Sequence, residues 1–135
     1  MIKLIVGEKG SGKTKAILDA ANEAAAVSKG HVAFLDKDKA RMFSLSHKVR
    51  LIDTSEFAIK SDNDLIFFIK GILAANCDYT DIFIDGVYKI TRKTFDQLEW
   101  FFTCLNECAK ECGLEFTLTI SCAQENLPEY LKKLA

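Results

Sequence analysis

Residues 2–14 constrain this chain more than any other stretch. Ile2-Lys-Leu-Ile-Val6 is an apolar strand, and it runs directly into Gly7, Glu8, Lys9, Gly10, Ser11, Gly12, Lys13 and Thr14, a complete G-x-x-x-x-G-K-[ST] phosphate-binding loop. The spacing has a chemical reason. Glycines let the backbone curl so that successive N–H groups point at one phosphate, Lys13 reaches the β and γ oxygens, and the Thr14 hydroxyl is placed to ligand Mg²⁺. The motif is specific only between a buried parallel strand and a helix. Here residues 2–6 read as such a strand and residues 13–28 as an alanine-rich helix closed by Gly30. The N-terminal end of that helix favours the same anion.

The remaining chain alternates in the same way. His31-Val-Ala-Phe-Leu35 reads as a second strand ending in Asp36-Lys-Asp38, and Val49-Arg-Leu-Ile-Asp53 as a third, with one or two helical turns between them. Ser61 with Asp62 and Asp64 marks a helix start before the apolar run from Leu65 to Ala75. Ile82-Phe-Ile-Asp85-Gly86 is a strand that delivers an aspartate at its end. Val87–Lys93 reads as a basic, aromatic-bearing loop, either solvated or contacting a partner or a nucleic acid. Thr94-Phe-Asp-Gln97 has the form of a capping box, opening an amphipathic helix up to Gly113. Glu115–Ile120 makes a fifth strand, and residues 127–134 a short helix. This alternation predicts an α/β fold of three layers, α/β/α, with a mostly parallel five-stranded sheet. Its carboxyl edge would gather residues 7–14, Asp36, Asp38, Asp53, Asp85 and Ser121.

Composition narrows the functional classes. The 135 residues are the size of one domain, and 49% hydrophobic residues suffice for a core. The net charge of −1 and pI near 6.1 lack the basic footprint of a protein that grips many phosphates, so a nucleic-acid partner is not expected. Apolar runs fall short of the ~18 residues of a membrane span, and the N-terminus has no signal-peptide pattern, so no membrane partner and a cytoplasmic location are expected. Five cysteines fit reduced thiols, with Cys104, Cys108 and Cys112 along one side of a helix as core packing rather than metal ligands.

Together with the phosphate loop, the strand ending at Asp85 forms a Walker B pattern, in which Asp85 would hold a water on the Mg²⁺ that Thr14 ligates. At this point the chain resembles P-loop NTPases, and its layout is most similar to the core of the bacterial recombinase (RecA) family over roughly residues 2–122. Gly7–Thr14, Val32–Asp38 and Ile84–Val87 carry the likeness. The chain also resembles the very short ATP-binding proteins of low-GC Gram-positive bacteria. The resemblance implies the strand order 3-2-4-5-1, ATP and Mg²⁺ as cofactors, and for Asp38 the role of orienting or activating the attacking water beside Lys13. Three departures stand out: Asp38 is one methylene shorter than the family's glutamate, Gly86 rather than glutamate follows Asp85, and the DNA-contacting loops are curtailed.

The expected function is that of a Mg²⁺-dependent ATP-binding protein, a slow ATPase or a nucleotide-dependent switch. Two alternatives stay open: a small-molecule kinase using Asp36 and Asp38 to bind an acceptor, and a non-hydrolysing nucleotide-binding scaffold for a protein partner. ATP is favoured over GTP because no N-K-x-D guanine-reading motif occurs. The order 3-2-4-5-1 leaves the strand at residues 2–6 on an edge, whose unpaired backbone groups invite self-association or a protein partner.

Overall fold

A computed structural model describes residues 1–134. Five strands, β1 (Ile2–Gly7), β2 (His31–Asp36), β3 (Val49–Asp53), β4 (Tyr79–Ile84) and β5 (Glu115–Ser121), form one sheet in the order β1-β5-β4-β2-β3. Every pairing is parallel, so the sheet is wholly rather than mostly parallel. Read from the β3 side, the order is the anticipated 3-2-4-5-1, and β1 lies at an edge among the described residues. The crossovers are α1 (Lys13–Val27), α2 (Asp62–Ala75), α3 (Val87–Thr91) and α4 (Glu99–Cys112), and α5 (Glu129–Leu134) follows the last strand. No helix among the described residues is long and apolar enough to cross a membrane.

Parallel strands covered on both faces need apolar residues in both phases of the two-residue period, and these strands have them. Val32 and Phe34 of β2 and Phe83 of β4 face α1, where they pack with Ile17, Leu18, Ala21 and Ala25. Ala33, Leu35, Ile82, Ile84, Phe116, Leu118 and Ile120 face the opposite way, into the larger core made with α2, α3, α4 and α5. The same period carries a polar consequence. Asp36, Asp85 and Thr119 share the phase of Phe34, Phe83 and Thr117, so all three sit at the carboxyl edge on the side of α1.

Two local readings are corrected. Val87–Lys93 is not a solvated loop: its first five residues form α3, because Val87, Ile90 and Thr91, at i, i+3 and i+4, bury one face of a single turn. The Thr94–Gln97 box is present, the Thr94 N–H donating to Gln97 Oε1 at 3.2 Å, but it opens a 3₁₀ turn (Phe95–Gln97), and α4 begins only at Glu99. Ser61 caps α2 as its sequence suggests, its hydroxyl accepting from the Asp64 N–H at 3.1 Å. The helical cysteines divide, with Cys108 buried, Cys104 half-buried and Cys112 exposed.

Candidate functional site

The loop after β1 is shaped by backbone that L-residues rarely adopt. Gly10 and Gly12 have φ of 84° and 87°, in the left-handed region, which turns the chain from strand into α1 within a few residues. Gly12 is the N-cap of α1, no side chain caps the helix, and its first turn carries no acidic residue. The orphan N–H groups of that turn therefore have no side-chain cap, an arrangement that can receive an anion. Lys13 opens α1 and its Nζ donates to the carbonyl of Glu8 at 2.9 Å, which holds the ammonium across the loop. Thr14 follows as the second helical residue, half-buried.

Asp85 arrives from β4. Its N–H donates to the carbonyl of Leu35 at 3.0 Å, extending the β2–β4 ladder by one step and setting Asp85 beside Asp36. Its carboxylate is held from the other flank by β5. The Thr119 hydroxyl donates to Asp85 Oδ1 at 2.7 Å and accepts from the Gly86 N–H at 2.9 Å. Thr119, 4% exposed, thus fixes both the acid and the turn that follows it. Sequence reasoning passed over Thr119. Its signal was the polar phase of Thr-Leu-Thr-Ile in a strand otherwise apolar, which marks hydroxyls facing something polar across a buried layer.

Between these elements lies a cavity of about 750 Å³, within the range of small-molecule sites. One wall is Lys9, Gly10, Gly12, Lys13 and Thr14. The floor is Thr119 and Ser121 of β5. The other wall runs from Asp85 through Lys89 and on to Thr94, Phe95 and Asp96. This far wall is anchored from behind, because the Tyr130 hydroxyl of α5 donates to the carbonyl of Phe95. Burial pushes the Tyr130 phenol up to about 12, with the charges of Glu99 and Asp96 adding to the effect, so it stays a donor.

The remaining predicted acids are placed differently. Asp36 is buried at the end of β2, one Oδ1 accepting from the Lys37 N–H at 2.7 Å. Burial raises its pKa to about 6, and the charges of Asp85 and Asp38 push the same way, against the Lys37 N–H and the Lys89 ammonium. Asp38 is exposed, its Oδ1 accepting from the Ala40 N–H at 2.8 Å, and neither Asp36 nor Asp38 lines the cavity. Asp53 stands at the β3 edge, where it accepts from the Ser55 N–H at 2.9 Å and caps a 3₁₀ turn. The structure therefore brings Lys9, Gly10, Gly12, Lys13, Thr14, Asp85 and Ser121 to one cavity, keeps Asp36 beside Asp85, and leaves Gly7, Glu8, Ser11, Asp38 and Asp53 off the cavity wall.

The donor set fits a magnesium nucleotide. Thr14 and Asp85 offer a hydroxyl and a carboxylate oxygen from opposite walls, both hard oxygen ligands of the kind Mg²⁺ takes alongside waters and phosphate oxygens. No protein-family model and no curated protein sequence matches the chain.

Proposed function

We propose that this chain binds Mg²⁺–ATP at Gly7–Thr14 and acts as a nucleotide-dependent switch with slow hydrolysis. The observation that carries the reading is the convergence of Lys13 and Thr14, on a glycine-shaped helix start, with Asp85 across a single cavity. Lys13 would leave the Glu8 carbonyl for the β and γ oxygens, and the uncapped N–H groups of α1 would hold the β-phosphate. Thr14 and Asp85 would hold the metal, with Thr119 keeping the Asp85 carboxylate in position. When bound, Mg²⁺ supplies charge neutralisation between the terminal phosphates. ATP is favoured over GTP by the missing guanine-reading motif.

Slow turnover follows from what surrounds the cavity. None of its lining residues is an arginine, and Asp38, the water-orienting residue suggested by the recombinase likeness, spends one carboxylate oxygen on its own turn. Asp36 and Asp38 lie off the cavity wall, so the cavity lends the kinase alternative less support than the switch.

Equilibrium titration with ATP in the presence and absence of Mg²⁺ tests the proposal. Lys13→Ala should weaken binding at least ~10-fold, the loss of one charge-assisted contact. Asp85→Asn should weaken Mg²⁺-dependent binding more than metal-free binding. An unchanged dissociation constant in Lys13→Ala would sink the reading. Turnover in Asp38→Asn equal to that of the parent would remove Asp38 from the mechanism.

A further inference from the structure

Lys89 has no assigned work, yet it lines the cavity on the wall opposite the phosphate loop. Lys9 and Lys13 belong to the loop, so a ligand between the walls would meet cations from both sides. The local fold aims Lys89 there. Gly86 adopts φ 76°, and α3 starts at the next residue, which brings the Lys89 side chain back over the Gly86 backbone. A Cβ on Gly86 would lie 3.2 Å from Lys89 Cδ and 3.5 Å from its Cγ, so the methylenes occupy the space that a side chain at position 86 would fill. Among the described residues Lys89 makes no hydrogen bond and no ion pair within 4.0 Å, although its charge is felt by the Asp36 carboxylate.

We propose that Lys89 is a specificity-determining cation that contacts the terminal phosphate of the bound nucleotide and so distinguishes triphosphate from diphosphate. The inference rests on the reading of Gly7–Thr14 as the nucleotide site. Its direction comes from Asp85. In that reading Thr14 and Asp85 hold the metal between the terminal phosphates, so the wall that continues from Asp85 flanks the γ end of the chain of phosphates. Lys13 serves the β and γ groups together, whereas Lys89 meets a charge present only in the triphosphate. A lysine suits this position because its ammonium sits on a flexible stem and acts as a compact point charge. The simpler role, a counter-charge for Asp36 and Asp85, would favour the two nucleotides equally.

The test is a pair of titrations with Mg²⁺, using ADP and the non-hydrolysable triphosphate analogue AMP-PNP, on the parent, Lys89→Ala and Lys89→Arg. Lys89→Ala should weaken AMP-PNP binding about 10- to 100-fold and change ADP binding less than about 2-fold, as expected for losing one charge-assisted contact. Lys89→Arg should retain most of the preference, and Lys13→Ala should weaken both ligands. If the folded parent bound neither nucleotide, the phosphate-loop reading would fall and Lys89's role with it. If the parent bound both and Lys89→Ala changed both equally, or neither, the role of Lys89 alone would be overturned.

Discussion

Thr119→Val tests whether a buried hydroxyl on β5 holds the carboxyl edge together. Valine matches threonine in shape, so the substitution removes polar chemistry and little volume. Two hydrogen bonds go with it, the 2.7 Å donation to Asp85 Oδ1 and the 2.9 Å donation from the Gly86 N–H. A bond to a charged partner contributes about 1.5–3 kcal/mol and a neutral one about 0.5–1.5 kcal/mol. Asp85 and Gly86 are only half-buried and water can replace part of the loss, which places the expected destabilisation at about 2–3 kcal/mol. Urea unfolding followed by circular dichroism reads it as a lower midpoint at unchanged slope. Thr117→Val is the internal control: the same strand, the same face and 6% exposed, with no side-chain hydrogen bond among the described residues. A second readout separates stability from function, because a freed Asp85 carboxylate should also weaken Mg²⁺-dependent nucleotide binding. A loss below about 0.5 kcal/mol, or one equal to that of Thr117→Val, would refute the bridging role.

Other expectations follow from individual positions. Asp36 has a folded-state pKa of about 6 against an ordinary 3.8, so between those values the folded state binds more protons and stability falls as pH rises. Asp36→Asn should remove that slope, gaining ~1–3 kcal/mol over the parent from pH 4 to pH 7 in paired denaturation curves; a constant difference across the range would contradict it. Lys93→Ala should destabilise by ~1–3 kcal/mol, because it strips the 2.9 Å cation from Asp62, which is 3% exposed at the start of α2, and a double variant with Asp62→Asn should recover part of the loss. Gly30→Ala should cost ~1–3 kcal/mol in thermal or urea unfolding, since its Cβ would meet the carbonyl oxygen of Asp78 at 2.0 Å, a backbone atom that cannot rotate away.

What was legible in the sequence was what is local. The strand-to-helix turn at Gly7–Thr14, the apolar phases of the strands, the Ser61 cap and the glycines at 12 and 113 each declare themselves within a few residues, and the elements they bound lie where expected. The parallel pairing followed from the alternation of strands and helices, whereas the strand order was what the recombinase likeness implied. Val87–Thr91 was missed although its i, i+3, i+4 burial pattern was present, because one turn is too short for a periodicity to stand out against its basic residues. The Thr119–Asp85 bond spans 34 residues and the seating of Lys89 over Gly86 depends on a positive φ, so both are properties of assembled backbone. Asp38 has a local role that the sequence reading did not include. Its position two residues after Asp36 invited a catalytic reading, but an aspartate directly after a strand also serves the next turn, as its bond to the Ala40 N–H does here.

The cavity's position gives the proposed ligand mechanical reach. Its first wall belongs to the turn from β1 into α1, which packs on one face of the sheet, and its second to α3 and the turn before α4, which pack on the other face. Each wall is tied onward. Lys93, just past α3, reaches buried Asp62 at the start of α2, and the Phe95 carbonyl takes the Tyr130 hydroxyl of α5. A nucleotide gripped by Lys13 on one side and Lys89 on the other would therefore cross-link elements from the two faces of the sheet. Diphosphate would engage the first wall and triphosphate both. The stabilisation from either grows with ligand concentration as RT ln(1 + [L]/Kd), but only the triphosphate would add order to α3 and, through Lys93 and Phe95, to α2 and α5. Amide hydrogen exchange then separates the two states. AMP-PNP should protect Val87–Thr91 and the first turn of α2 beyond what ADP does, while both protect Gly7–Thr14 alike, and equal protection of α3 by the two ligands would mean that the second wall does not sense the terminal phosphate.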